Sequence, residues 1–396
     1  MVALSAKSLL SHAQYLLLAF FFLVDLYLIP SPPFPIRLLV APLIPLACYT
    51  PYVKRFFVPF LPILTWLLTF YACKFVPISI RPPYIFVSLL PTLERILYGA
   101  NLSELLSRSP NAVLDVLAWL PYGVIHFCLP FVFSASLFWF APPGTLPVFG
   151  RAFGYMNLAG VLTQMAFPTA PPWYELLHGN SPANYSMSGS PGGLARIDQL
   201  MGTHTYTSTF SASPVVFGAF PSLHSGCATI QAAFLVHVWP NALPFACTYV
   251  LWIWWSTMYL THHYMIDLVG GSMYAFAAYF SARRWMPRTE RGRRTRWEYL
   301  GVPRVTVAEV LRSLETACEW VMLERRLVKL AEEVDNDALV RMISKLGQAR
   351  FDGRDVLGED SDEELVDLSI VVIPPSDDGE DDIDDFDRSL DVREKL

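Results

Sequence analysis

Charged residues are scarce in this chain. They fill only 16% of its 396 positions, against about 25% in soluble domains. That shortage, with 53% hydrophobic residues and a mean hydropathy of +0.37, excludes an ordinary soluble globule. Long apolar runs recur instead, so the chain reads as a polytopic membrane protein whose solvent is mostly lipid. The six cysteines, Cys48, Cys73, Cys128, Cys227, Cys247 and Cys318, form no C-x-x-C pair. Five lie in apolar stretches, which excludes a disulfide framework and a zinc site and leaves buried thiols. No basic, aromatic-interleaved face exists, which excludes nucleic-acid binding. No small-residue cleavage site follows the first apolar run, which begins near Gln14 after Lys7, so that run reads as a retained span. No internal repeat is present.

The net charge of −6 is unevenly spread. Residues 352–396 hold 18 acidic and 4 basic residues, which leaves 25 basic and 17 acidic residues elsewhere. The tail, 351–396, reads as acidic and disordered. A membrane helix needs about 20 apolar residues. The candidate spans are 14–30, 36–50, 56–76, 112–140, 147–168, 221–240, 242–262 and 264–284. The expected class is therefore an all-α helix bundle of about eight spans, with seven, or six plus a re-entrant pair, as alternatives. The second span is short and carries Pro42 and Pro45. The fourth is interrupted by Pro121 and Pro130 and is expected to tilt, kink or begin at the interface.

Basic residues set orientation. "RRWMPRTERGRRTR", 283–296, places seven arginines on the cytosolic side. "VKR" at 53–55 falls there too, as do both termini. Segments 77–111 and 169–220 then face the opposite compartment, with His224, His263 and Asp267. The sequons at Asn101 and Asn184 lie on that side. The chain divides into an amino-terminal hairpin (1–55), a catalytic core (56–285), a basic and amphipathic segment (286–350) and the tail. Helical spacing of Val305, Val310, Leu311, Leu314 and Ala317 predicts amphipathic helix over 305–347. Gly, Pro, Ser and Thr make 169–220 a structured loop.

The chemistry is carried by histidines. His12 and His237 read as interfacial residues at span ends. His263 and Asp267 are four apart, on one face of a predicted helix and within reach of each other. A carboxylate there fixes an imidazole tautomer and stabilises the imidazolium, and an acid inside a membrane is functional by default. By itself the pair is equally consistent with a structural hydrogen bond or with metal ligation. "FPSLHSG", 220–226, brings a second histidine, His224, to the same membrane face. Pro221 suits the first turn of a helix and Ser222 its cap. The free N–H groups of that turn make an anion site. A histidine beside it can protonate a leaving oxygen, and a carboxylate-oriented histidine can attack phosphorus. His262 is five from Asp267 and has the poorer spacing. Cys227, Trp252, Trp254 and Trp255 read as packing or lipid contact.

At these residues the chain resembles the type 2 phosphatidic acid phosphatase superfamily. Its P-S-x-H motif appears as Pro221-Ser222-Leu223-His224, and its H-x-x-x-D motif as His263 to Asp267. The arginine that many members place six before that histidine is Thr257 here, and "FPTAPPWYELLHG", 167–179, stands in place of the family's lysine–arginine motif. These departures resemble the fungal inositol phosphorylceramide synthase family, the targets of aureobasidin A. Matching stretches include "LPTLERILYGANLSELLS" (90–107), "GLARID" (193–198), "GTHTYT" (202–207) and "YLTHHYMIDLVGG" (259–271). The resemblance covers roughly 85–285.

That resemblance implies a six-helix core and transfer of phosphoinositol from phosphatidylinositol to ceramide at the lumenal face of the Golgi membrane. His263 would be the nucleophile, Asp267 its orienter and His224 the acid and then base. Ser222, Leu223, Thr169, Trp173, Tyr174, His204 and His262 are the implied substrate contacts. It implies no metal and no cofactor, a small membrane regulatory subunit as partner, and aureobasidin A as inhibitor. A lipid phosphate phosphatase, with water replacing ceramide, is the alternative enzyme. A proton-coupled transporter is the alternative non-enzyme, but it calls for inverted repeats and broken midplane helices, whereas these histidines lie at span ends.

Overall fold

Lipid cannot satisfy an open backbone polar group, so apolar runs close their hydrogen bonds internally as helices. The computed structural model describes residues 6–287, 289, 292–300, 305, 306 and 310, and contains helices with no strands among them. In chain order these are α1 (Ala6–Leu28), α2 (Phe34–Val40), α3 (Leu43–Tyr49), α4 (Pro51–Ala72), α5 (Leu89–Tyr98), α6 (Leu102–Ser107), α7 (Ala112–Trp119), α8 (His126–Phe140), α9 (Thr145–Ala166), α10 (Pro172–His178), α11 (Leu194–Met201), α12 (Thr205–Ser211), α13 (Leu223–Val238), α14 (Leu243–Tyr259), α15 (Met265–Ala282) and α16 (Arg296–Leu300). Among the described residues, two stretches, 53–75 and 112–140, are long and apolar enough to cross a membrane. The predicted amphipathic segment beyond Val310 and the acidic tail lie outside the described residues.

Long helices α4, α9, α13, α14 and α15 pack together with the α7–α8 stretch. Phe133, Leu137, Phe149, Phe153, Met156, Ile230, Phe234 and Ala275 form their common core. Without a hydrophobic force between helices in lipid, close approach of small residues holds them. A Cβ on Gly154 of α9 would sit 2.5 Å from the Ile63 nitrogen of α4, beside Pro62. A Cβ on Gly271 of α15 would sit 2.1 Å from the Ser222 carbonyl. Both glycines let one backbone touch the next.

Three expectations change. The span expected at 36–50 is two seven-residue helices, α2 and α3, divided at Ala41–Pro42. Each rises about 10 Å, well short of a bilayer core about 30 Å thick. Pro42 has no N–H to continue α2 and caps α3 instead. Helix α4 starts at Pro51, five residues before the span expected at 56–76, so "VKR" lies in its first turns, and Arg55 is buried. The proline break expected inside 112–140 is a π-helical turn, Leu120–Ile125, in which the His126 N–H reaches the Pro121 carbonyl. Such bulges absorb a missing donor without ending the helix.

The connecting segments 73–111, 167–222 and 260–264 meet at one end of the bundle. Thr169 ties them, pairing with Phe86 on one side and Gly218 on the other. Asn101 of the first sequon is buried there. Its amide oxygen caps α6 through Glu104 N–H and its nitrogen donates to Glu175, at 3.1 and 2.8 Å. Asn184 of the second is exposed.

Candidate active site

The histidine of "FPSLHSG" is placed by a cap. Ser222 is the N-cap of α13 and its hydroxyl accepts the Ser225 N–H. Pro221 stands before the cap rather than in the first turn expected for it. The Ser222 N–H donates to the Asp267 carbonyl at 3.0 Å. Ser225 Oγ donates to the Leu268 carbonyl at 2.6 Å, and Ser272 joins Thr229 at 2.7 Å. Helices α13 and α15 are thus zipped together below the site. Two first-turn amides of α13, at Leu223 and His224, have no protein acceptor among the described residues. That is the physical condition for binding an anion at a helix start.

His263 is not on a helix face. It sits in a tight turn before α15, where the Thr257 carbonyl accepts N–H from both His262 (2.9 Å) and His263 (3.3 Å). Thr261 in this turn has φ 63°, a conformation that costs a non-glycine residue about 1–3 kcal/mol and clusters at functional sites. Tyr264 caps α15, and Asp267 is the third residue of that helix. Asp267 Oδ2 accepts the Tyr264 N–H at 2.9 Å and lies 3.5 Å from His263 Nδ1. The four-residue spacing therefore works through a capping box, rather than through one turn of helix.

The tautomer follows from the neighbours. His263 Nδ1 faces only acceptors, the Ala219 carbonyl at 3.1 Å and the Asp267 carboxylate, so Nδ1 carries the proton. Nε2 keeps its lone pair. It lies 3.4 Å from His224 Nδ1, which must then be the donor. The result is a basic imidazole nitrogen, oriented by a fully buried carboxylate, beside a second imidazole and two open amides.

Three neighbours had no signal in the motifs. Tyr122 stacks on His224 (centroids 4.4 Å, 22°) and on His262 (5.2 Å, 21°). His126 leans on the other side of His224 at 4.6 Å. Both come from the π-helical turn, whose only sequence trace is Pro121. Glu94 of α5 is fully buried and accepts the first two N–H groups of α15, from Met265 at 3.1 Å and Ile266 at 3.2 Å. Burial raises its carboxyl above the usual range although those N–H bonds oppose the shift. Glu94 thus fills the helix-start site on α15 and leaves the one on α13 for ligand.

The expected substrate contacts separate into two groups. Leu223 and His262 lie at the site. The Ser222 N–H is spent on Asp267 and its hydroxyl accepts from the Ser225 N–H, so Ser222 fixes the cap, and only its hydroxyl proton is left to donate. Thr169, Trp173 and Tyr174 are buried. Thr169 Oγ1 accepts from Phe220 N–H at 3.0 Å, Trp173 N–H donates to the Thr261 carbonyl at 2.9 Å, and Tyr174 donates to the Ser181 carbonyl. They build the floor under the turn. His204 caps α12, is exposed, and makes no ring or hydrogen-bond contact with the trio. Among the described residues no three His, Cys, Asp or Glu side chains are arranged to hold a metal ion.

His262 supplies a stability test. Its Nε2 meets the Pro191 carbonyl at 3.0 Å. Burial, then the neighbouring His263, pushes its pKa down to about 3. The unfolded chain, titrating near 6.5, binds the proton that the folded chain refuses, so stability falls as pH drops from about 6.5 toward 3. Thermal unfolding in detergent should show that decline, and His262→Gln should make it shallower without abolishing it, because His126 also buries a ring nitrogen.

A model of the PAP2 superfamily matches residues 86–281, a range that holds every residue of this site. The chain is 53% identical over 290 residues to the inositol phosphorylceramide synthase catalytic subunit of Schizosaccharomyces pombe, covering 73% of this chain and 68% of that protein. It is 51% identical to the inositol phosphorylceramide synthase of Candida albicans, over 66% of this chain and 55% of that protein. It is 47% identical to the catalytic subunit of that synthase from Saccharomyces cerevisiae, over 65% of each. No solved structure matches the chain significantly. Identity of that extent, over a stretch that includes both histidine motifs, establishes that the chain belongs to the inositol phosphorylceramide synthase family of the PAP2 superfamily.

Proposed function

We propose that this membrane transferase moves phosphoinositol from phosphatidylinositol to ceramide through a phosphohistidine at His263. The observation that carries the reading is the lock on His263 Nδ1 by Ala219 and Asp267, which aims an unprotonated Nε2 at the open amides of α13. In the first step Nε2 attacks phosphorus, the bond to the diacylglycerol oxygen breaks, and His224 as imidazolium protonates that oxygen. In the second, His224 takes the proton of the ceramide primary hydroxyl, that oxygen attacks phosphorus, and the N–P bond breaks. His263 returns as neutral imidazole and His224 as imidazolium. The Leu223 and His224 amides hold the phosphoryl oxygens as charge gathers on them, a role worth about 10²–10³ in rate per donor. The 3.4 Å resting contact leaves no room for phosphorus, so substrate entry turns His224 away from His263.

Among the described residues no arginine or lysine is placed beside the histidines, which supports a diester substrate. Thr257, at the arginine position of related enzymes, is buried with its hydroxyl on the Trp254 carbonyl. Arg95, Arg108 and Arg196 are committed to Glu175, Glu104 and Asp115. A phosphodiester carries one negative charge, whereas a monoester carries up to two. Two amides and the single positive charge of the His224 imidazolium suit the former. The membrane arrangement that fits is a six-helix core of α4, α7–α8, α9, α13, α14 and α15, with the site on the lumenal face of the Golgi membrane and both termini cytosolic. A small membrane subunit as partner and inhibition by aureobasidin A belong to the same reading.

A side-by-side assay with labelled phosphatidylinositol and phosphatidate, each with and without ceramide, tests it. Ceramide-dependent release of diacylglycerol from phosphatidylinositol is expected, with phosphatidate at least tenfold slower. Equal hydrolysis of phosphatidate without ceramide would return the lipid phosphatase reading.

A further inference from the structure

Five basic residues lie in the connecting segments at the histidine end of the bundle: Lys74, Arg81, Arg95, Arg108 and Arg196. Three are paired with carboxylates, as described. The remaining two, Lys74 and Arg81, meet no carboxylate among the described residues. Both line one pocket of about 240 Å³, at the end of α4, which has no acidic residue in its wall. Arg81 is held firmly. Its Nε donates to the Val76 carbonyl at 3.0 Å and one Nη to the Cys73 carbonyl at 2.9 Å, and its guanidinium lies over the Tyr185 ring at 5.1 Å. Lys74 is exposed, its carbonyl accepts from an Arg81 Nη at 3.4 Å, and its ammonium makes no hydrogen bond among the described residues. Ser188 and Ser213, whose hydroxyl protons have no acceptor among the described residues, complete the rim.

We propose that this pocket binds the phosphate group of an anionic phospholipid, at a place separate from the catalytic phosphate site. Unpaired cations in an acid-free pocket select an anion, and the hydroxyls suit its oxygens. The pocket opens where α4 leaves the apolar layer, with Leu67 and Tyr71 exposed on the helix beneath. A headgroup would rest in the pocket while its chains lie along α4, which favours a lipid over a soluble phosphate.

The pocket shares a wall with the catalytic site. Gln164 lines it and donates to the Pro221 carbonyl at 2.9 Å, one residue before the α13 cap. Phe217 lines it two residues before Ala219, whose carbonyl holds His263 Nδ1. An occupant therefore braces segment 215–221 and, through it, both histidines. Binding here raises transfer without contacting the reacting groups. The binding claim does not depend on which lipid reaction the histidines perform.

The experiment uses the full chain in phosphatidylcholine nanodiscs, with phosphatidylserine or inorganic phosphate added. Phosphatidylserine should raise the unfolding temperature and increase transfer several-fold, with saturation. Lys74→Ala should shift the half-saturating phosphatidylserine fraction about five-fold, as expected for one cation at a membrane surface. With phosphatidylinositol held at a fraction too low to fill this pocket, activity without phosphatidylserine should stay unchanged. Lys74→Glu should remove the response. An undiminished response in well-folded Lys74→Glu protein would overturn the site. Stabilisation by inorganic phosphate with none from phosphatidylserine would overturn the lipid assignment. If no transfer occurs with any lipid but the Lys74-dependent temperature shift remains, the site stands and the catalytic reading falls.

Discussion

His263→Ala eliminates phosphoinositol transfer, and Asp267→Asn reduces it by about 10³–10⁴. The first removes the nitrogen that bonds to phosphorus. The second magnitude is that of triads whose orienting carboxylate is lost. In Asp267→Asn the amide oxygen can still accept from His263 Nδ1–H or from Tyr264 N–H. It no longer stabilises the imidazolium-like charge that develops when Nε2 attacks. Two readouts separate this from simple misfolding. Incubation with phosphatidylinositol labelled in phosphate should leave acid-labile label on the wild type and none on His263→Ala. The Asp267→Asn protein should acquire the same label slowly. Full transfer by a well-expressed His263→Ala protein would discard the covalent mechanism.

The second large effect is expected at His224, and it depends on the leaving group. His224→Gln should lower transfer from phosphatidylinositol by about 10²–10⁴, the range for loss of general acid–base catalysis. A nitrophenyl phosphoinositol diester needs no proton on its departing oxygen. Against that substrate the variant should still give a burst of nitrophenol, one per active site, as His263 is phosphorylated. Turnover should then stop, because no base remains to activate ceramide. Equal damage with both substrates would mean that His224 only shapes the pocket. The Tyr122 ring and His126 enclose His224 from both sides, so glutamine keeps some of that packing while it removes the titrating group.

What was readable in the chain is what short spacing encodes. Ser222, His224, His263 and Asp267 lie within two short stretches, and local capping rules alone bring their backbones into register. Even there, the geometry differs from expectation. Four residues between His263 and Asp267 suggested one helical turn, but the helix begins between them and the carboxylate turns back to cap it. Glu94 could not be found the same way. It meets Met265 and Ile266 about 170 residues away, and in sequence it is one acid on an amphipathic helix. Tyr122 and His126 were hidden by the π-helical turn. Pro121 announced a disturbance but not its form, and a simple kink would have pointed both rings elsewhere. Pro42 and Pro45 were visible too, and here the disturbance is a two-residue interruption between α2 and α3 in which Ala41 and Pro42 keep right-handed helical angles.

The 3.4 Å contact between His224 and His263 makes the resting enzyme a closed valve. With the two rings joined, Nε2 is masked by its own neighbour. Only a ligand that compensates the lost hydrogen bond, by placing phosphoryl oxygens on the Leu223 and His224 amides, can hold the rings apart. In the proposed mechanism those oxygens would remain as part of the phosphohistidine once diacylglycerol leaves, so the valve would stay open for an acceptor bearing a hydroxyl and a long apolar body. After transfer the anchor departs with the product and the rings close again. Protection against idle hydrolysis is thus set by the contact that must break for each turnover, and a variant that weakens it should leak phosphoinositol to water before it loses its rate with ceramide.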